Sequence, residues 1–240
     1  PGVYWAGTND GNLQVSRDGG FSWTEVGKNF PGGGTHEYLV SGIEASWYDA
    51  GTAYASLDGH YAGDMKPYVF KTTDYGQTWT NVSGNLPIGN VNSIRQDPKN
   101  RNLLYAPAEF GFYISLNDGG TWHAFMPNLP KGRIDDIMVH PRDNDIVLAH
   151  HGRAVWVMDD ISALQQLTPQ VLAAPAHLFA PRPAEEIRYF NPKAHQGDMV
   201  FRGDNPPAGA LIDYYLQAGT AAELSVLDAA GSAVATLNPS

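Results

Sequence analysis

Three stretches of the chain repeat one short pattern: SRDGGFSW at 16–23, TTDYGQTW at 72–79 and SLNDGGTW at 115–122. The shared form is [ST]-x-[DN]-x-G-x-[ST]-W, recurring at separations of 56 and 43 residues. Periods of this size mark solenoids, propellers and arrays, in which each repeat is one supersecondary unit that needs its neighbours to bury its apolar face. Each fixed position has a local task. Asp18, Asp74 and Asn117 can accept hydrogen bonds from backbone N–H groups just ahead and so close a turn, while Gly20, Gly76 and Gly119 accept a positive φ. Ser16, Thr72 and Ser115 open the motif and Ser22, Thr78 and Thr121 begin the return strand. Trp23, Trp79 and Trp122 are each expected to bury a large ring under the hairpin. These residues therefore read as structural, not as catalytic acids or calcium ligands; an EF-hand needs many more oxygens in a longer loop.

The surroundings of each motif are regular too. In the third unit VNSIRQDP, LLYAPAE, GFYISL and TWHAFM read as four short strands, and YLVSGIEASW, TAYASL, YVFKTT and TWTNVS repeat the set in the second. Four strands in about 40–45 residues is the size of one propeller blade. A first unit starts partway through a blade at VYWAGT, and a fourth offers IDDIMVHP, DIVLAHH and AVWVMDD without the motif. The fold expected is all-β: three to four blades of a partial propeller over 1–180, a Pro-rich linker over 181–208, and the incomplete start of an immunoglobulin-like sandwich over 209–240. In the last segment AELSVLDAAGSAVATL reads as a hairpin turning at DAAG.

The repeats resemble the Asp-box (BNR) repeats of sialidases, family 74 (xyloglucanase-type) glycoside hydrolases and sortilin-type propellers. DGHYAGDMKPYVFKTTDYGQTW, AEFGFYISLNDGGTW and HHGRAVWVMDDISALQQLTPQV are similar to the propeller end of large bacterial glycosyl-hydrolase-like or sortilin-like proteins. The resemblance implies an extracytoplasmic or secreted protein whose remaining blades lie elsewhere in its full-length chain. It also implies a carbohydrate-active protein binding a polysaccharide, with hydrolysis left open and the fragment alone inactive; the alternative is a non-catalytic sortilin-like module holding a peptide or protein.

Composition narrows the partners. A formal net charge of −10 argues against nucleic acid, whose binding surfaces are usually basic. No apolar run approaches the roughly 20 residues of a membrane span, and zero cysteines exclude disulfides and thiolate sites. No cofactor and no metal are expected.

In a blade of antiparallel strands the 2–3 and 4–1 connections share one face, while the 1–2 and 3–4 turns share the other. The repeated motifs are 3–4 turns, so a ligand is sought on the opposite face, among 8–12, 57–67, 109–111, 150–154 and the links 31–38, 86–90 and 129–135. The segment 57–67 is about ten residues longer than its counterparts and reads as a long loop gathering Asp58, His60, Tyr61, Asp64 and Lys66. Asp58, His60, Tyr61, Asp64, Glu109 and Arg153 are the candidate ligand-binding residues, with Trp47, Tyr48 and Tyr61 as stacking surfaces for sugar rings. A purely local role for Asp58 and His60, bonding their own loop, stays open. His150 and His151 point to opposite faces of a strand and cannot act as a bidentate pair. Asp135 and Asp136, and Asp159 and Asp160, meet the same objection as catalytic dyads.

Overall fold

The computed structural model describes residues 2–32, 37–125, 128–184 and 209–237. Its contacts divide the chain into two compact units, with the boundary after Ile161.

The first unit is a succession of antiparallel sheets in chain order. β1 (Tyr4–Gly7), β2 (Leu13–Ser16) and β3 (Thr24–Glu25) make the first, and β4 (Leu39–Ala45), β5 (Ala53–Gly59), β6 (Asp64–Thr72) and β7 (Thr80–Asn81) the second. The third holds β8 (Arg95–Gln96), β9 (Leu104–Ala108), β10 (Gly111–Ser115) and β11 (His123–Ala124); the fourth holds β12 (Ile134–Val139), β13 (Ile146–His150) and β14 (Val155–Met158). Strand order follows sequence order in every sheet, so each is an up-and-down meander, the build of a propeller blade.

The blades bury their faces against one another. Leu13, Val15 and Phe30 of the first blade pack with Ala55, Leu57, Phe70 and Trp79 of the second. From its other face, Tyr54 and Val69 pack with Ile94, Leu104, Ala106 and Trp122 of the third. Alternation along β5 explains this double use: Ala53, Ala55 and Leu57 point one way and Tyr54 the other. Such strands, covered on both faces, carry almost no exposed positions.

The repeated turn also ties blade to blade. Asp74 accepts from Thr78 N at 2.9 Å and Thr78 Oγ1 at 2.6 Å, while Thr72 Oγ1 donates to it at 2.8 Å and accepts from Gly76 N. Asp18 and Asn117 are held in the same way by Ser16, Ser22, Ser115 and the Thr121 N–H. The Ser22 hydroxyl and N–H hold the Asp18 carboxyl down at about 2. Trp79 then donates its indole N–H to the Val26 carbonyl of the preceding blade, and Trp122 donates to that of Val82. Trp23 departs from the expected burial. It is 43% exposed and donates to Gly20 of its own turn, because no preceding strand lies against it among the described residues.

In the second unit α1 (Ser162–Gln165) and α2 (Pro169–Ala173), the latter capped by Thr168, lead to β15 (Ala176–Leu178). β15 pairs antiparallel with β16 (Tyr214–Leu216), and β17 (Leu224–Leu227) pairs with β18 (Ala233–Leu237). The β17–β18 hairpin turns where DAAG stands, with Asp228 accepting from Ala230 N and Ser232 N. Most of the expected linker, residues 185–208, lies outside the described residues. No helix among the described residues is long and apolar enough to cross a membrane; this says nothing of a β-barrel.

Candidate functional site

The connections 60–63, 109–110 and 151–154 join the second and third strands of their sheets, and with 8–12, between β1 and β2, they form one rim of the first unit. Backbone bonds stitch that rim together: Val40 N donates to Thr8 O, Gly89 N to Met65 O, Glu109 N to Asn90 O and His151 N to Arg133 O. The repeated turns stand at the other end, where Tyr75 N donates to Gly51 O and Asp118 N to Asn102 O.

The 57–67 insertion is not a long loop. β5 and β6 continue through it, pairing Leu57 with Tyr68 and Gly59 with Asp64 across a register shift, so that only 60–63 remain as the connection, a single 3₁₀ turn at His60–Ala62. The added residues lengthen a hairpin instead. Pro67 is tolerated because it falls opposite the register shift, where no ladder donor is needed.

At the tip of this hairpin the candidate residues meet. Asp58 is 4% exposed, accepts from His60 N at 2.9 Å and lies 2.7 Å from His60 Nδ1. The imidazole in turn packs against Tyr61, ring centroids 3.9 Å apart and the planes tilted by 37°, and Tyr61 stands 86% exposed. Asp64 accepts from Tyr68 OH at 2.7 Å, Tyr38 OH at 3.0 Å and Lys66 N at 3.0 Å. The Tyr68 hydroxyl foremost, with the Lys66 N–H, holds its carboxyl below the usual range. Asp58 and Asp64 are thus committed to building the hairpin.

Glu109 belongs to a second rim cluster. Arg133 donates through Nε to Asp135 at 2.6 Å and through Nη1 to Glu109 at 3.5 Å, and His151 Nδ1 lies 3.1 Å from the other Asp135 oxygen. Partial burial pushes the Asp135 carboxyl up, but the Arg133 and His151 hydrogen bonds outweigh it and hold it below the usual range. Arg153 is exposed in the neighbouring 151–154 turn, where its carbonyl accepts from Trp156 Nε1. Trp47 and Tyr48 do not join either cluster. They sit in the β4–β5 connection at the opposite end, Trp47 donating to Glu44 and Tyr48 to the Asp97 carbonyl, so they cannot share a ligand with Tyr61.

Sequence reasoning missed a third group. Arg95 on β8 lies 3.9 Å from Glu44 on β4 and donates to Asp136 on β12 at 2.9 Å, crossing the edge strands of three consecutive blades. Burial pushes the Glu44 carboxyl up to about 7 against the pull of Arg95. The three residues lie far apart in the chain, and only the blade repeat, with Glu44, Arg95 and Asp136 each on a first strand, could have linked them.

No family model matches the sequence. The oligoxyloglucan-reducing end-specific xyloglucanase of Emericella nidulans is 33% identical over 121 residues, covering 46% of this chain and 14% of that enzyme. The chain therefore spans only a small part of the relative's length. A GH74 enzyme of Niastella koreensis superposes with a TM-score of 0.55 at 17% identity, over 66% of this chain and 26% of that one. The GH74 xyloglucanase of Xanthomonas campestris gives 0.53 at 14%, over 75% and 30%. A chain of the COPII outer coat vertex gives 0.50 at 12% identity, over 66% and 43%. These likenesses establish the propeller fold, and the spread from hydrolase to coat means that the fold alone does not choose a function.

Proposed function

We propose that the chain is part of a carbohydrate-active propeller and that its rim binds a polysaccharide. The observation that carries this reading is the Tyr61 ring, presented to solvent on a projecting hairpin and backed by His60, which Asp58 holds in place. A rigid bare ring is a suitable stacking surface for a sugar, and the xyloglucanase relative favours a glycan over a peptide. On this reading the three repeated turns are Asp-box repeats, the protein works outside the cytoplasm, and further blades of its own chain complete the propeller.

Binding fits the described rim better than hydrolysis. Glycoside cleavage asks for two carboxyl groups flanking the bond, one protonated as general acid, whereas Asp64 is held ionised and Asp58 is bonded to His60. A glycan array probed with this chain tests the reading. Binding to neutral glucans, weakened about tenfold in Tyr61→Ala as for loss of one aromatic contact, supports it. Capture of peptides with no glycan bound would instead establish the sortilin-like alternative.

A further inference from the structure

The 109–110 turn between β9 and β10 carries an aromatic ring that the first rim cluster does not use. Phe110 is 57% exposed although it lines an apolar cleft together with Pro67, Ile88 and Gly89. Gly89 is what lets the ring lie there. A Cβ at that position would stand 2.9 Å from Phe110 Cδ2 and 3.3 Å from Cε2, and the backbone φ of +133° is one that side chains disfavour. The Cδ2–Cε2 edge of the ring therefore lies close to bare backbone at Gly89, while more than half of the residue meets solvent. The Gly89 N–H bond to Met65 O fixes this support to the lengthened hairpin.

The other residue of the same turn, Glu109, reaches away to Arg133, which also holds Asp135, itself held by His151. A ring platform is thus followed at once by a fan of side chains carrying both donors and acceptors. Arg133 stands between two carboxylates, so the cluster keeps one net negative charge, and its guanidinium retains N–H groups for a ligand. A sugar hydroxyl can donate to one member and accept from another without bringing a charge. An acidic sugar would place its carboxylate beside Glu109 and Asp135.

We propose that Phe110, with the Glu109–Arg133–Asp135–His151 cluster, forms a second subsite that takes neutral sugar units of a polysaccharide, the ring stacking one unit and the polar fan bonding the next. The proposal rests on the glycan-binding reading above and adds to it a place and a charge preference. Its occupant is a neutral glycan: two carboxylates, one guanidinium and a neutral imidazole leave the polar half with one net negative charge, which turns away acidic sugars, while the ring and the N–H groups of Arg133 suit an uncharged unit.

Calorimetric titration of this chain with xyloglucan oligosaccharides, and in parallel with oligogalacturonates, tests it. Phe110→Ala and Arg133→Ala are each expected to weaken xyloglucan oligosaccharide binding by about tenfold, the scale of one lost stacked ring or charge-assisted hydrogen bond. Phe110→Trp should retain or strengthen binding, and oligogalacturonates should bind at least about tenfold more weakly than the neutral chains, since like charges brought together are disfavoured. Both variants alter exposed or half-exposed groups, and their melting curves report whether each is folded. Neutral-glycan binding that is lost in Tyr61→Ala yet intact in Phe110→Ala overturns the subsite and leaves the broader reading standing. Tighter binding of oligogalacturonate overturns the charge preference. If no glycan binds the parent chain, the broader reading fails and the subsite with it.

Discussion

The indole N–H of Trp122 donates to the carbonyl of Val82 at 2.9 Å, carrying a hydrogen bond from the turn of one blade into the end of the blade before it. Asn85 completes the joint by accepting from Trp122 N and donating to Trp122 O. The joint one blade earlier has the same parts: Trp79 bonds Val26, and Asn29 donates to Gly76 O. The repeated phrase thus does two things. It closes its own turn, and it seats the next blade on the last.

Close approach at this joint makes the motif glycine a sensitive position. A Cβ on Gly76 would lie 2.8 Å from Val26 Cβ, and the residue sits at φ +80°. Gly76→Ala should therefore lose roughly 2–4 kcal/mol, from overpacking and left-handed backbone strain together. In a denaturant-melt double-mutant cycle, adding Val26→Gly, which removes the Cβ and both Cγ atoms, should return the overpacking part only. Additive losses would mean that the two residues do not press on one another.

Asp74 accepts three hydrogen bonds within its turn and touches no rim residue. Asp74→Ala should cost roughly 1–3 kcal/mol of stability through the lost bonds, while glycan affinity per folded molecule stays unchanged. Reduced affinity with an unaltered melting transition would assign the turn to the ligand site.

Glu44 gives the stability a pH dependence. Its folded carboxyl stands at about 7 against an ordinary value of 4.5, because burial disfavours the charge. The folded state therefore holds a proton that the unfolded chain releases, so the contribution is full below about pH 4.5 and is lost as pH rises through 7. The loss should be on the order of 3 kcal/mol. Glu44→Gln keeps an acceptor for Trp47 Nε1 and should flatten unfolding free energy across this window. A profile as steep as that of the parent would place the titration elsewhere.

How far each feature could be read from the sequence follows the reach of its bonds. The turn was legible because every bond that closes it, from Thr72 to Thr78, falls within one motif. Where the tryptophan goes was not, since Val26 and Val82 are remote in sequence from Trp79 and Trp122; for Trp23 the assumption of burial failed. The Glu44–Arg95–Asp136 row is likewise assembled from three blades. The hairpin tip was half legible. Its residues stand together, but a turn-rich string such as DGHYAGDMKP hides the pairing of Gly59 with Asp64 that makes it strand. Phe110 passed unremarked because nothing local signals that Gly89 lies under it.

That pairing separates the residues of the hairpin tip by role. Asp58 is buried against His60, and Asp64 gathers two tyrosine hydroxyls from β6 and the segment before β4, so each holds backbone geometry in place. Tyr61 rests on the His60 ring and otherwise meets solvent. Asp58→Ala and Asp64→Ala should therefore each lower unfolding free energy by roughly 1–3 kcal/mol, leaving buried or hydroxyl partners unsatisfied. Tyr61→Ala should change it by less than about 0.5 kcal/mol, as exposed positions do. Measured beside xyloglucan oligosaccharide titrations, the three variants divide stability from recognition: the aspartates should lose both in step as the tip loosens, and Tyr61→Ala should lose affinity alone. If Tyr61→Ala melts early with its affinity per folded molecule intact, the ring is a plug over His60 and the hairpin is scaffold.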